Sequence, residues 1–263
     1  MFKKSFICDL LKALIINIMV PWKMNIFITG TDTDVGKTFI TAGLAALMQS
    51  LGYKTGVYKP FQSGAEVKNG FLVAPDLAYV KKIDAFVETA CSYLFKPPTA
   101  PALAAEIEKI KVDTNNLVRD YMLLCEKCEL VITEGAGGLC VPVAPQLLTS
   151  DIVKLLNVPV VIVARPNLGT INQTLLTVNF AKQHGLNVRG VIINRYPRGT
   201  DDIAIRTAPR LIEEYSDAKV LGIVKDLQPS NTLTPGVIID TILNSVDIEK
   251  IFEIKIPKLN SGV

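Results

Sequence analysis

Apolar residues in this 263-residue chain fall into two alternating textures. Short runs rich in Val, Ile and Leu stand at Asn25 to Thr29, Thr55 to Tyr58, Leu130 to Thr133, Val158 to Ala164, Asn187 to Ile193 and Lys219 to Val224. They lack a clear polar alternation, which predicts strands buried on both faces. Between them the apolar positions recur at helical spacing, over Thr38–Leu51, Asp113–Lys127, Ser150–Leu156, Thr170–His184 and Asp201–Tyr215. Gly52 closes the first helix, and Asp113, Thr149 and Thr170 are candidate N-caps. Strands alternating with helices predict an α/β fold in three layers, a mostly parallel central sheet flanked by helices. In such a sheet ligands bind beyond the carboxyl ends of the strands, so polar residues just after each run are the candidate site.

The first such junction is the most specific. Gly30-Thr31-Asp32-Thr33-Asp34-Val35-Gly36-Lys37-Thr38 links the first strand to the first helix. A glycine-bounded loop ending in Gly-Lys-Thr at a helix start is a phosphate-binding loop, so the fold is of the P-loop NTPase type. Its backbone N–H groups can cradle phosphate oxygens, and the helix N-terminus adds partial positive charge. Lys37 reaches toward the terminal phosphates and the Thr38 hydroxyl suits Mg²⁺. The spacing is a variant: Thr31 stands where the common pattern has its first glycine, and Gly30 lies one residue further out.

The same strand-end rule selects Lys59 and Ser63 after the second strand, Glu134 after the third, Asn167 to Thr170 after the fourth and Asn194 after the fifth. Lys59 is either a surface lysine or a second cation for a transferring phosphate. Ser63 is either a turn former or a substrate contact. Glu134, opening Glu-Gly-Ala-Gly-Gly, suits a magnesium ligand, direct or through water. Asp76, in Ala-Pro-Asp-Leu-Ala, reads from its spacing as a helix cap.

Composition narrows the classes. An apolar share of 49% fits a folded domain, and a net charge of +3 with no basic–aromatic cluster gives no sign of nucleic-acid binding. Five cysteines, an odd number, argue against a disulfide framework. Cys125 and Cys128 form C-x-x-C, but no second pair follows and the sole histidine is His184, so they read as packing residues and His184 as a helix end. Residues 1–23 carry Lys3 and Lys4 and a short apolar run, too short to span a membrane and interrupted by Asp9 and Lys12 on its approach. The expectation is an N-terminal extension outside the fold, with a single domain over residues 24–263.

The loop from Gly30 to Thr38 resembles the GTDTxVGKT loop of the dethiobiotin synthetases. Tyr58-Lys59-Pro60-Phe61-Gln62-Ser63-Gly64 is similar to that family's YKPxxSG segment, Thr133 to Gly138 to its VEGAGG stretch, and Asn167 to Asn172 to its LGTIN loop. The resemblance implies ATP- and Mg²⁺-dependent closure of 7,8-diaminononanoate and CO₂ into a cyclic urea, in a cytoplasmic homodimer with no nucleic-acid or membrane partner. It implies that Asp34, Val35, Gly36, Lys37, Thr38 and Asn194 bind ATP, with Asp34 near the substrate amine and Asn194 on the adenine. Thr38, Asp76 and Glu134 would hold Mg²⁺, and Lys37 and Lys59 would be catalytic. Ser63 would contact the diamine or its carbamate, and Leu168, Gly169 and Thr170 the substrate carboxylate, from across the dimer interface. Gln173 stands where many relatives have His, and Ile223-Val224-Lys225 lacks the usual Ile-Pro near the purine.

Two other readings share the fold. Regulatory ATPases of the septum-positioning and plasmid-partition type carry an extra lysine early in the loop, which this chain lacks. Glutamine-dependent amidating enzymes need a glutaminase domain, and none of the five cysteines sits in a nucleophile elbow.

Overall fold

The computed structural model describes residues 24–227 and 233–256. The expectation for residues 1–23 lies outside them. Eleven strands and nine helices are found among the described residues. The seven strands of the main sheet run in the order β11 (Val220–Lys225), β10 (Val188–Tyr196), β9 (Val160–Ala164), β1 (Ile26–Gly30), β6 (Leu130–Glu134), β2 (Thr55–Ser63), β5 (Glu88–Phe95). Every pairing in it is parallel, so the sheet expected to be mostly parallel is wholly so.

The missing alternation in the sequence has a direct cause. Ile26, Ile28, Leu130, Ile132, Val161 and Val163 point into one core, built with helices α1 (Lys37–Ser50), α2 (Pro75–Ile83), α8 (Pro235–Ser245) and α9 (Ile248–Phe252). Their strand neighbours Phe27, Val131, Val160 and Ile162 point into a second core. That core is shared with α3 (Pro101–Ile107), α4 (Thr114–Cys125), α5 (Thr149–Leu156), α6 (Thr170–Gln183) and α7 (Ile203–Ser216). The period of two is intact, but both faces demand apolar side chains.

Several expectations need correction. β2 does not stop at Lys59-Pro60; it continues to Ser63. Its pairing with β6 ends at Tyr58, while pairing with β5 runs on through Phe61, Gln62 and Ser63. Pro60 therefore lies where one edge of the strand is free, and its missing N–H leaves no ladder bond unmade. Thr149 is not a cap: Leu148 holds that position, and Asp151 accepts from its N–H at 2.8 Å. Thr170 is the first helical residue after Gly169, and its hydroxyl donates to the Arg165 carbonyl. Asp113 caps α4 as expected, accepting from Asn115 N–H at 2.9 Å.

Two small hairpins lie outside the main sheet. β3 (Glu66–Lys68) and β4 (Phe71–Val73) turn at Asn69-Gly70, both left-handed, and connect β2 to α2. β7 (Pro142–Ala144) and β8 (Leu147–Leu148) lead into α5. The C-x-x-C cysteines are free; Cys125 is buried and accepts from the Asn25 side chain, and Cys128 packs over Gly56. His184 stacks on Phe180 at the end of α6, ring centroids 3.8 Å apart.

Candidate active site

The phosphate loop is anchored at its base on both neighbouring strands. Thr31 N–H donates to Val163 O of β9 at 3.0 Å, and Gly30 N–H to Gly137 O beyond β6 at 3.4 Å. Gly36 has a left-handed backbone (φ +89°), and a side-chain carbon there would collide with the Asn194 carboxamide. Glycine is therefore required on two counts. Asn194, at the end of β10 and buried, donates to Val35 O at 3.0 Å and so braces the loop from the far side.

Lys37 is buried and folds back over the loop, donating to Asp32 O at 3.2 Å. Burial pulls its ammonium below the usual lysine range, and the nearby Lys59 charge adds to that, against the opposing pull of Glu134. The Asp32 carboxylate is in turn held by Arg165, which also donates to Thr33 O at 2.7 Å.

Lys59 stands at the centre of a charged cluster. Its ammonium lies 2.5 Å from Asp76 and 2.8 Å from Glu134, with Gly135 O at 3.3 Å. Thr38 donates its hydroxyl to Glu134 at 2.9 Å. Burial would lower the Lys59 pKa, but Glu134 and Asp76 outweigh it and hold the group well above the ordinary value, as a firm cation. For Asp76, burial pushes upward, yet the Lys59 charge and hydrogen bonds from Lys59 and Thr38 bring it below the ordinary carboxylate value. Asp76 lies in the first turn of α2, but its carboxylate faces Lys59; Ala74 is the N-cap. The reading of Asp76 as a cap is thus corrected: an acid in the first turn is drawn away by a closer cation.

These groups share one cavity of about 1020 Å³ at the carboxyl ends of the strands. Asp34, Gly36, Lys37, Thr38, Lys59, Ser63, Asp76, Glu134 and Asn194 all line it. Val35 is fully buried beneath the loop and contributes its carbonyl to Asn194. Leu168, Gly169 and Thr170 are not among the lining residues; Leu168 is 85% exposed at the start of α6. A single chain therefore assembles the phosphate loop and the charged cluster but not that loop.

Three contributors carry no signal in the sequence pattern. Arg165 directly follows β9, at a strand end, but the pattern gives no reason for its side chain to turn back toward Asp32. Arg195 follows Asn194 with a left-handed backbone (φ 57°) and lines the cavity. Gln62 lies buried beside Ser63 on the cavity wall.

The cluster also tests for a divalent cation. Thr38, Asp76 and Glu134 offer hard oxygen donors beside a phosphate loop. Among the described residues no cluster of three or more His, Cys, Asp or Glu forms. That donor set fits Mg²⁺, which takes one or two carboxylates and completes its shell with phosphate and water.

A family model described as "AAA domain" matches residues 24–233. The ATP-dependent dethiobiotin synthetase BioD of Anoxybacillus flavithermus is 41% identical over 198 residues, 74% of this chain and 89% of that protein. The enzyme of the same name from Bacillus licheniformis is 39% identical over 86% of this chain and 94% of its own length. That of Methanococcus vannielii is 36% identical over 76% and 93%. Among solved structures, the MinC:MinD cell division protein complex of Aquifex aeolicus aligns with a TM-score of 0.54 at 15% identity, covering 90% of this chain and 99% of that one. A ParA family ATPase from Chlorobium tepidum gives 0.50 at 13%, over 89% and 94%. At that identity the structural likeness speaks for the fold alone.

Proposed function

The chain belongs to the ATP-dependent dethiobiotin synthetases, ATP-using ligases of biotin biosynthesis, and from that premise we propose that it closes 7,8-diaminononanoate and CO₂ into dethiobiotin through the cluster around Lys59. The observation that carries this is the placement of two ammonium groups, Lys37 and Lys59, with Thr38, Asp76 and Glu134 in one cavity. No nucleophilic side chain is needed. Phosphoryl transfer asks the protein for positioning and charge stabilisation.

In this reading one amine of the substrate attacks CO₂ and loses a proton, giving a carbamate. A carbamate oxygen attacks the γ-phosphorus of ATP and ADP departs, leaving a carbamic–phosphoric anhydride. The second amine attacks the anhydride carbon and loses a proton, the bond from that carbon to the bridging oxygen breaks, inorganic phosphate leaves with its electron pair, and the ring closes. Lys37 leaves the Asp32 carbonyl for the phosphate oxygens, where its charge meets the negative charge that develops in transfer. Lys59, kept protonated by its two carboxylates, neutralises the carbamate and the incoming phosphoryl oxygens. Thr38, Asp76 and Glu134 would hold Mg²⁺, which when bound would neutralise phosphate charge. Ser63 contacts the diamine or its carbamate, and Asp34 sits beside the amine and the nucleotide. Asn194 meets the adenine.

Leu168, Gly169 and Thr170 form the loop that binds the substrate carboxylate of the neighbouring subunit in a homodimer, with Leu168 and Gly169 offering their N–H groups, since the Thr170 N–H already donates to Asn167 O at 3.0 Å. The exposure of Leu168 and the absence of all three from their own chain's cavity wall support that assignment. The enzyme works in the cytoplasm. Among the described residues no helix is long and apolar enough to cross a membrane.

The test is incorporation of labelled bicarbonate with ATP, Mg²⁺ and diaminononanoate. The expected result is one ADP and one acid-stable labelled product per turnover. Phosphate release that ignores the diamine and rises with lipid or DNA would instead favour a regulatory switch on the same fold.

A further inference from the structure

We propose that Gln62 is a specificity-determining residue whose side-chain carbonyl accepts a hydrogen bond from an amine of the diamine. The inference rests on the diamine reading above and adds a residue to it. Gln62 is 5% exposed and lines the main cavity. Its Nε2 donates to Ser63 O at 2.9 Å, which fixes the orientation of the amide and turns Oε1 the other way. That Oε1 is buried without a hydrogen-bond partner, and so is the adjacent Ser63 hydroxyl oxygen.

Two neighbouring unpaired polar atoms on residues that line a cavity are costly, and are normally satisfied by ordered water or by a ligand that enters. What satisfies a carbonyl oxygen must bring an N–H or O–H. The triphosphate and CO₂ bring acceptors only. The base and ribose of ATP carry donors, but in this reading they lie toward Asn194 at the end of β10. Gln62 is on β2, four strand intervals away across β9, β1 and β6, or roughly 19 Å at ordinary sheet spacing. Water aside, the remaining donor among the reactants is the diamine, and the diamine displaces water from the site when it binds. Lys59 lies three residues before Gln62 on the same strand and takes the carbamate oxygen, so an amine at Gln62 and a carbamate at Lys59 would orient the substrate between two fixed points.

The full-length protein provides the test through two substitutions. Gln62→Met keeps length and removes the acceptor; Gln62→Glu keeps an acceptor. In the Met variant the KM for diaminononanoate should rise ~10–100-fold, the range for losing a hydrogen bond to a charged or strongly polar group. Its KM for ATP should stay within about twofold of wild type, since the lost contact lies on one substrate alone. The Glu variant should recover most of the loss, and calorimetric titration of the diamine onto each protein should follow the same order. An unchanged diamine KM in the Met variant overturns the proposal, as does an equal rise in both KM values. Should Met disturb folding, Gln62→Ala decides: a rise in the diamine KM alone supports the assignment, and an unchanged diamine KM or an equal rise in both KM values refutes it. Wild-type protein that turns over no ATP on addition of the diamine would sink the reaction itself, a distinct result.

Discussion

Removing the Lys37 ammonium takes away a charge positioned in the phosphate loop to follow the phosphates through transfer. Lys37→Ala should lower diamine-dependent ADP release by ~10²–10³-fold or more, the range for losing a preorganised electrostatic group. Near-normal turnover would refute the role. Asp76 gives a second residue-scale prediction, on stability. Its folded-state pKa lies below the ordinary 3.8 because Lys59 and Thr38 bind the charged form. The unfolded chain therefore binds the proton more readily, and the stabilisation is fully present above 3.8 and lost as pH falls through the lower folded value. Asp76→Asn should lower the melting temperature at neutral pH, and the gap from wild type should narrow below pH 3.8. A gap that stays constant to low pH would show that the charge is irrelevant. Lys37, Lys59 and Glu134 were legible because a strand end in a parallel sheet is a place with a rule attached. Asp76 was legible only through resemblance, since the hairpin β3–β4 that delivers it to Lys59 leaves no periodic trace. Gln62 and Arg165 were not legible: where a side chain turns at a strand end depends on neighbours from other segments.

At the scale of elements, α1 carries the phosphate loop and must be held at a fixed height above the sheet. α8 packs on it at Gly43, where a side-chain carbon would lie 2.6 Å from Ile242. Gly43→Val should wedge the helices apart and cost ~1–3 kcal/mol, as overpacking does. Denaturant midpoints would measure it, and an unchanged midpoint would mean the helices slide freely. Packing of this kind also explains what the pattern could and could not reveal. β1, β6 and β9 are fully buried and each announces itself as a short aliphatic run. β5 is an edge strand paired only with β2, and its sequence Glu-Thr-Ala-Cys-Ser-Tyr-Leu-Phe is mostly half-exposed, so no aliphatic run marks it. α2 and α3 are short and start at Pro75 and Pro101, and such brief helices hold by packing more than by their own periodicity.

For the whole molecule, the proposed reaction asks a loop 85% exposed at Leu168 to serve a site whose other groups line a cavity that this loop does not reach in its own chain. In the proposed homodimer the loop would come from a second copy, and that arrangement makes a test by complementation. Lys37→Ala destroys the phosphate site of its own chain. Leu168→Asp places a carboxylate where the substrate carboxylate would dock, and at so exposed a position it should leave folding intact. Each homodimer should be nearly inactive. In a mixed dimer, one site joins the loop altered at Leu168 to the chain lacking the Lys37 ammonium and is doubly impaired. The other joins an intact phosphate loop to an intact Leu168 loop and works. Equal mixing after subunit exchange should therefore restore about a quarter of wild-type activity, as random pairing in a twofold dimer dictates. If the loop served its own chain, every site in the mixture would carry one lesion and no activity would return. The size of the recovered rate thus separates a shared site from a private one without a structure of the dimer.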